Sequence, residues 1–170
     1  MSWKNRANKR GLRALLRSFR FACAGLWVCV RGEQNFRLHL VIVAYVLFFA
    51  RFYELTGGAW ATLLISIGFV LTAEAFNTAL ERAVDFASED AHPLARAAKD
   101  AAAAAVLLSA LTAVAVGVCL FGDWETIVRI AEWLAASAVR LVLLALSIVL
   151  GGLFVFAWPA RSAPESMRKM

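Results

Sequence analysis

The sequence predicts an all-α membrane protein, with an amphipathic N-terminal surface helix, three core transmembrane helices and an additional C-terminal transmembrane helix. The first observation is composition: 62% of the 170 residues are hydrophobic, whereas a soluble domain is about half apolar. The second is that four stretches lack Asp, Glu, Lys and Arg, and three of them approach or reach the ~20 residues that cross ~30 Å of hydrocarbon. These stretches are residues 38–50, 55–73, 101–122 and 141–160.

The N-terminal segment, about residues 5–30, has the pattern of a helix that lies on a membrane surface. Nine of the 18 Lys and Arg residues fall within residues 4–37, against one acid, Glu33. Basic and apolar residues recur at helical spacing on opposite faces, so we expect the cations to contact anionic lipid headgroups. The location of the net charge of +6 therefore favours lipid over nucleic acid as the partner. The basic face comprises Arg6, Arg10, Arg13, Arg17 and Arg20, and the apolar face comprises Leu12, Leu15, Leu16, Phe19, Cys23 and Leu26.

Four spans follow from the uncharged stretches. The first is short, and Arg37 and Arg51 could extend it by directing their charges to the headgroups. Since the N-terminal segment carries the excess of Lys and Arg, both termini are expected on the cytoplasmic side. We divide the chain into a core, residues 1–121, and a C-terminal extension, residues 122–170. The predicted spans are about 36–52, 59–83 and 98–121 in the core and about 139–158 in the extension.

Local signals predict features of the connecting segments. His92–Pro93 suits a helix start, since proline is tolerated at the first helical position. The segment 122–136 is expected to form a short interfacial helix anchored by Trp124 and Trp133. The three cysteines are scattered without a CxxC pair, which favours small hydrophobes over metal ligands or a disulfide framework. His39 and His92 are far apart in sequence and give little support for a histidine metal site.

A polar stripe interrupts the end of the second span. Four of its five members lie three, four, seven and eleven residues after the first, so all five share one sector of a helix. Such a stripe is costly beside lipid and requires a partner, a metal or a chemical task. The first acid lies roughly 10 Å deeper in the membrane than the second, where it could accept the proton of a lipid hydroxyl. The members are Glu74, Asn77, Thr78, Glu81 and Asp85.

The predicted topology brings charged residues from three helices to one membrane face. Glu33 precedes the first span, Glu81 ends the second, and Lys99 and Asp100 begin the third. Mg²⁺ binds carboxylate, phosphate and water oxygens, which makes Glu33 and Glu81 candidate ligands. Lys99 could neutralise ATP phosphates, Asp100 could bind nucleotide or orient Lys99, and Asn77 could hold a carboxylate or phosphate. The sequence contains no P-loop, so bound ATP would have to be held by these helix ends.

Three motifs occur in order along the chain: RGEQNFRLHL at 31–40, EAFNTALERAVDF at 74–86 and HPLARAAKDAAAAAVLL at 92–108. Together they resemble the small bacterial integral-membrane lipid kinases, which comprise diacylglycerol kinase and undecaprenol kinase. The resemblance covers about residues 12–121. It implies a surface helix with three spans in the bacterial inner membrane, the use of ATP and Mg²⁺, and a homotrimer whose active sites are shared between neighbouring chains.

The resemblance also implies roles for individual residues. Glu74 corresponds to the catalytic base that takes the proton from the lipid hydroxyl, and Glu33 and Glu81 correspond to carboxylates that bind metal and ATP. Asp85 matches a polar position that lines the site, and Arg13 is an alternative to Arg17 as a phosphate contact. The further ATP-binding positions are Arg17, Asn77, Asp90, His92, Lys99 and Asp100.

The wording of the motifs bears on the substrate. EQNFRLHL and HPLA are closer to the undecaprenol kinase form, so undecaprenol is the expected substrate and diacylglycerol the alternative. The chain departs from the family pattern at Ala24, where relatives often carry a longer polar residue, and in the extension, which adds a fourth span.

Two hypotheses from other classes explain part of the pattern. A small transporter or proton relay could use Glu74, Asn77 and Glu81, but it leaves Lys99, Asp100 and the surface helix unexplained. A membrane scaffold would explain the alanine-rich third span through close helix packing, but it leaves the polar stripe without a purpose.

Overall fold

The computed structural model describes residues 3–87 and 92–157, with side chains described from residue 11 onward. Over these ranges the chain is helical apart from short connections and contains no β-strand, which confirms the all-α prediction. The elements are α1 (Trp3–Gly32), α2 (Gln34–Ala50), α3 (Gly57–Ala87), α4 (Pro93–Phe121), α5 (Trp124–Ala135) and α6 (Ala138–Gly152), which continues into a π-helical turn (Leu153–Ala157).

Helix lengths agree with a membrane protein. Within the described residues, α3, α4 and α6 with its π-helical turn are long and apolar enough to cross a membrane. The apolar helix α2 has 17 residues, about 26 Å at ~1.5 Å per residue, and so is slightly shorter than the hydrocarbon is thick. With 31 residues, α3 is about 46 Å long and exceeds that thickness. The helix can therefore carry polar residues at one end without placing all of them in lipid.

Consecutive spans run antiparallel. Glu33, which precedes α2, lies beside Arg82 near the end of α3. At the other end of the bundle, the Tyr53 hydroxyl donates to the carbonyl of Phe121 at the end of α4, at 3.2 Å. The most extensive helix packing is between α3 and α4. One end of the bundle therefore collects the start of α2, the end of α3 and the start of α4, and we call it the charged end.

Arg37 is buried at the charged end, with 3% of its surface exposed. Its Nε and Nη2 donate to the carbonyl of Val155 in the π-helical turn, at 3.3 and 3.0 Å. Its Nη1 donates to the carbonyls of Val30, at 3.0 Å, and Arg31, at 3.4 Å. The last carbonyls of a helix have no hydrogen-bond donor within the helix, and the guanidinium of Arg37 is that donor for two carbonyls at the end of α1. The prediction that Arg37 directs its charge to the headgroups is wrong, because these inward-facing carbonyls compete successfully for the guanidinium.

We expect Arg37→Met to destabilise the protein by about 2–4 kcal/mol, since the buried carbonyl of Val155 and the half-buried carbonyls at the end of α1 lose their donor. The measurement is the thermal unfolding midpoint in detergent. The matched control is Arg51→Met, because Arg51 is exposed and stacks on the ring of Phe48 at 4.5 Å. Equal midpoints for the two variants would contradict the structural role of Arg37.

The described part of the C-terminal extension packs on α2. The hydroxyls of Tyr45 and Ser147 form a hydrogen bond of 2.9 Å between α2 and α6. The short helix predicted for residues 122–136 is present as α5, and Trp124 is exposed as an anchor would be. Trp133 differs from the expectation of a free anchor, because its ring packs on Phe52 with the centroids 5.0 Å apart. The ring of Trp133 thus joins the extension to the end of α2.

The apolar face of α1 is not covered by the other helices that the structure describes. Leu15, Leu16 and Phe19 are each more than half exposed. An uncovered apolar stripe opposite a basic one is what a surface helix requires, and its contact with anionic lipid stays a prediction. Cys29 faces inward near the end of α1, and burial raises the pKa of its thiol, which agrees with the predicted role of a small hydrophobe.

Candidate active site

Glu33 lies in the break between α1 and α2. Its backbone is extended, with φ −112° and ψ 119°, and its side chain makes no capping hydrogen bond to α2. The carboxylate is therefore free to face α3, where its Oε1 lies 3.8 Å from Nη2 of Arg82. Gly32 makes room for this approach, since a Cβ there would lie 2.6 Å from the same nitrogen. The sequence thus places a carboxylate at the start of α2 and, just before it, a glycine that leaves space for the side chain of Arg82.

The electrostatic environment of Glu33 is unfavourable for a charge. Burial raises the pKa of this carboxyl, and the nearby carboxylate of Glu81 raises it further, against the opposing effects of Arg82 and Arg37. Two carboxylates from different helices therefore repel each other across the charged end. A divalent cation would relieve that repulsion, which identifies the pair as a candidate metal-binding site.

We expect Glu33→Gln to stabilise the metal-free protein at neutral pH by about 0.5–1 kcal/mol and so to raise its thermal midpoint. A raised pKa in the folded state means that the stability contributed by Glu33 is lost as pH rises from its ordinary value of 4.5 through the raised value. The gain from the substitution should therefore shrink as pH falls back through that window.

The measurement is thermal unfolding of both proteins across the acidic-to-neutral range. Glu54→Gln is the control, because Glu54 is exposed in the connection at the other end of the bundle. A difference between Glu33→Gln and the parent that does not change with pH would contradict this account of Glu33.

Asn77 fixes the orientation of Glu81. Its Nδ2 donates to Oε1 of Glu81 at 2.8 Å, one helical turn away on α3. The Oδ1 of the same amide is buried and has no hydrogen-bond partner within the described part of the chain. A buried amide oxygen without a donor is a ready ligand for a hard cation or acceptor for a bound donor. Of the two kinds of partner predicted for Asn77, a carboxylate or a phosphate, the structure contains the carboxylate of Glu81.

The oxygens of Glu33, Glu81 and Asn77 are hard ligands of the kind that Mg²⁺ binds. In the described residues no group of three or more His, Cys, Asp or Glu side chains is arranged to hold a metal. Mg²⁺ in nucleotide enzymes is often held by one or two carboxylates, with phosphate and water oxygens completing its shell. Glu33 and Glu81, with the amide oxygen of Asn77, meet that requirement.

Glu74 lies deeper between the helices and is almost completely buried, with 3% of its surface exposed. Its Oε1 lies 3.2 Å from Nε2 of His39 on α2. The hydroxyl of Thr78 donates to the backbone carbonyl of Glu74 at 3.0 Å and leaves the carboxylate to His39. Glu74 therefore has a specific partner, His39, which the sequence did not predict.

The contact between His39 and Glu74 follows from the register of α2 against α3. His39 is six residues after Glu33, and Glu74 is seven residues before Glu81. In an antiparallel helix pair, a contact between Glu33 and the Glu81 region brings His39 to the level of Glu74. Neither histidine spacing nor hydropathy reveals this, because the contact depends on the register of two helices.

Lys99 is paired with Asp85 and not with its neighbour Asp100. The Nζ of Lys99 donates to Oδ1 of Asp85, which joins the start of α4 to the end of α3. Asp100 is exposed and lies 3.8 Å from Arg96 on its own helix. Adjacent residues of a helix do not face each other, which explains why Asp100 cannot orient Lys99. Of the two predicted roles of Asp100, only contact with a nucleotide remains.

The other predicted ATP-binding residues are less closely gathered. His92 caps α4, and its Nδ1 accepts from the backbone N–H of Leu94 at 3.2 Å, so the predicted helix start is confirmed. Arg17 is exposed on α1, and no ion pair links it to the charged end among the described side chains. Asp90 lies outside the described residues.

Comparison with known proteins gives a consistent result. The family model described as prokaryotic diacylglycerol kinase matches residues 20–121. The chain is 36% identical over 114 residues to undecaprenol kinase of Bacillus subtilis, covering 67% of this chain and 93% of that protein. It is 43% identical over 107 residues to a diacylglycerol kinase of Synechocystis, covering 62% of this chain and 61% of that protein. A diacylglycerol kinase of Pseudomonas aeruginosa is 31% identical over 117 residues, or 69% of this chain and 89% of its own length. No solved structure matches.

Proposed function

We propose that this chain, which belongs to the prokaryotic diacylglycerol kinase family and is a lipid kinase, phosphorylates undecaprenol with ATP at the cytoplasmic face of the bacterial inner membrane. The observation that carries the proposal is the arrangement of carboxylates. At the charged end the carboxylates of Glu33 and Glu81 interact electrostatically, and the buried Glu74 lies deeper, where it contacts His39 at the interface of α2 and α3. This arrangement suits a phosphate donor at the water side and a hydroxyl acceptor at the lipid side.

The charged end would bind ATP with Mg²⁺. Glu33 and Glu81 would hold the metal, which when bound supplies positive charge that offsets the charge on the phosphates. Asn77 already orients Glu81 by donating to its Oε1, and Oε2 of Glu81 would then be directed to the metal. Lys99 would exchange Asp85 for a phosphate oxygen, and Asp100, which is exposed on the next position, would contact the nucleotide. Asp90, His92 and Arg17 are proposed at the margin of the nucleotide site.

Glu74 would act as the general base. As the lipid oxygen forms its bond to the γ-phosphorus, the bond between that phosphorus and the bridging oxygen breaks and ADP leaves. The proton of the hydroxyl passes to Glu74. Phosphoryl transfer depends mainly on positioning and electrostatic stabilisation, so a few carboxylates, a lysine and a metal suffice. The proton-relay and scaffold hypotheses do not account for the similarity to a family of lipid kinases.

Overall identity does not separate the two candidate lipids. The relative with the higher identity is named a diacylglycerol kinase, whereas the undecaprenol kinase is covered over more of its length. We favour undecaprenol on the motif EQNFRLHL, and diacylglycerol is the second candidate. The two lipids differ in what carries the hydroxyl, which is a single long chain in a polyprenol and a glycerol with two acyl chains in a diacylglycerol.

The proposed membrane arrangement follows the charge distribution. Both termini would lie in the cytoplasm, with α1 on anionic headgroups beside the charged end. We also propose a homotrimer with active sites shared between chains, on the family resemblance. The exposed small residues of α4, Ala103–Ala105, would allow close packing of a neighbouring helix.

The test is phosphorylation in mixed micelles. The purified protein is incubated with radiolabelled ATP, Mg²⁺ and either undecaprenol or diacylglycerol, and labelled lipid is counted. We expect faster labelling of undecaprenol and no labelling when Mg²⁺ is chelated. Preferential labelling of diacylglycerol would replace the proposed substrate with the second candidate, and labelling without a divalent cation would contradict the proposed metal.

A further inference from the structure

The contact between His39 and Glu74 has no role in the function proposed above. His39 lies on α2, is 19% exposed and presents Nε2 at 3.2 Å from Oε1 of Glu74. An imidazole at this distance can donate its Nε2 proton to the carboxylate. We infer that His39 is the positioning residue of the catalytic base, holding one carboxylate oxygen of Glu74 so that the other is directed to the lipid hydroxyl.

Burial makes a fixed partner necessary. Glu74 is 3% exposed within a helix that crosses the membrane, and a carboxylate without a partner in such surroundings is costly. Among the side chains that the structure describes, His39 reaches it from another helix. Among the described residues no hydrogen bond or ion pair reaches Oε2 of Glu74. One oxygen is therefore held by His39, and the other remains as an acceptor.

The position of His39 on α2 adds a second constraint. Glu33 immediately precedes this helix, so α2 connects a proposed metal ligand to the partner of the base. Arg37, between them in sequence, anchors α2 to α1 and to the π-helical turn through four hydrogen bonds. Supporting contacts of this kind hold reacting groups within a fraction of an ångström of their productive geometry. Packing of α2 thus sets the positions of Glu33 and His39 relative to the acids of α3.

The inference rests on the proposed role of Glu74 and predicts a selective loss of turnover. His39→Leu should lower kcat about 10–100-fold, as the loss of outer-shell partners does elsewhere, with KM for ATP within about twofold of the parent. His39→Gln should recover most of that loss, since the Gln Nε2 can donate from a similar position. Recovery by a side chain that does not titrate separates orientation of Glu74 from proton storage on the imidazole.

Two further variants complete the experiment. Glu74→Gln combined with His39→Leu should have the same kcat as Glu74→Gln alone, because a residue that acts through another adds nothing once that residue is replaced. Tyr45→Phe is the control, since it removes a hydrogen bond between α2 and α6 away from the site and should leave kcat unchanged. Thermal midpoints of all variants identify any general loss of folding.

The outcomes are distinct. Parental kcat in His39→Leu, equal losses in His39→Leu and His39→Gln, or a further loss in the double variant would each overturn the positioning role of His39. Full activity of Glu74→Gln would instead reject Glu74 as the base, and with it any role of His39 that depends on that base. Loss of kcat in both His39→Leu and Glu74→Gln, with rescue by His39→Gln, supports both.

Discussion

We expect Glu74→Gln to lower kcat for lipid phosphorylation by about 10²–10⁴-fold, the usual contribution of a general base. The amide keeps the size and the hydrogen-bonding capacity of the side chain but cannot accept the proton of the lipid hydroxyl. KM for ATP should remain near the parental value, because Glu74 lies deeper than the charged end. Initial rates with radiolabelled ATP at saturating lipid give both constants.

The control for Glu74 is Glu54→Gln, which makes the same chemical change at an exposed position on the opposite end of the bundle. Its kcat should equal that of the parent. If Glu74→Gln retained the turnover of this control, Glu74 would be a buried structural acid and the base would have to be sought elsewhere.

We expect Glu81→Gln to act on nucleotide binding, with KM for Mg-ATP raised about 10–100-fold. The substitution removes one of the two carboxylates proposed to hold the metal and also removes the charge that raises the pKa of Glu33. Increasing the Mg²⁺ concentration should recover part of the lost activity, since mass action compensates for a weakened site. The measurement is a matrix of initial rates over ATP and Mg²⁺.

Asn77→Ala separates orientation from ligation at the same site. It leaves both carboxylates in place but removes the hydrogen bond of 2.8 Å that orients Glu81. We expect an increase in KM for Mg-ATP smaller than that of Glu81→Gln. A parental KM in Glu81→Gln would remove this carboxylate from the metal site, whatever the result for Asn77→Ala.

Much of the fold was predictable because its causes are local. The missing charges of the spans, the basic repeat of α1 and the His92–Pro93 start are all readable from neighbouring residues. The helices differ from the predicted bounds mainly at their ends: α3 extends to Ala87 and α4 begins at Pro93. Polar residues can continue a helix beyond the hydrocarbon, so an uncharged stretch marks the span and not the whole helix.

The candidate site was predicted in its composition but not in its pairings. The sequence identified Glu33, Glu74 and Glu81 and their order of depth along the helices. It favoured no partner for Glu74, and it allowed Asp100 to orient Lys99, whereas Asp85 does so. Sequence distance was a poor guide in the second case because consecutive residues of a helix point in different directions.

The sequence by itself determined that this chain is a bundle of membrane helices with a polar stripe and a set of charged helix ends. Those features follow from hydrophobicity, helical periodicity and the fixed thickness of a bilayer. Only the tertiary structure decided that His39 reaches Glu74 and that Arg37 turns inward to the carbonyl of Val155. Such contacts depend on the rotation of each helix and on its register against its neighbours, which are set by the packing of all the helices together.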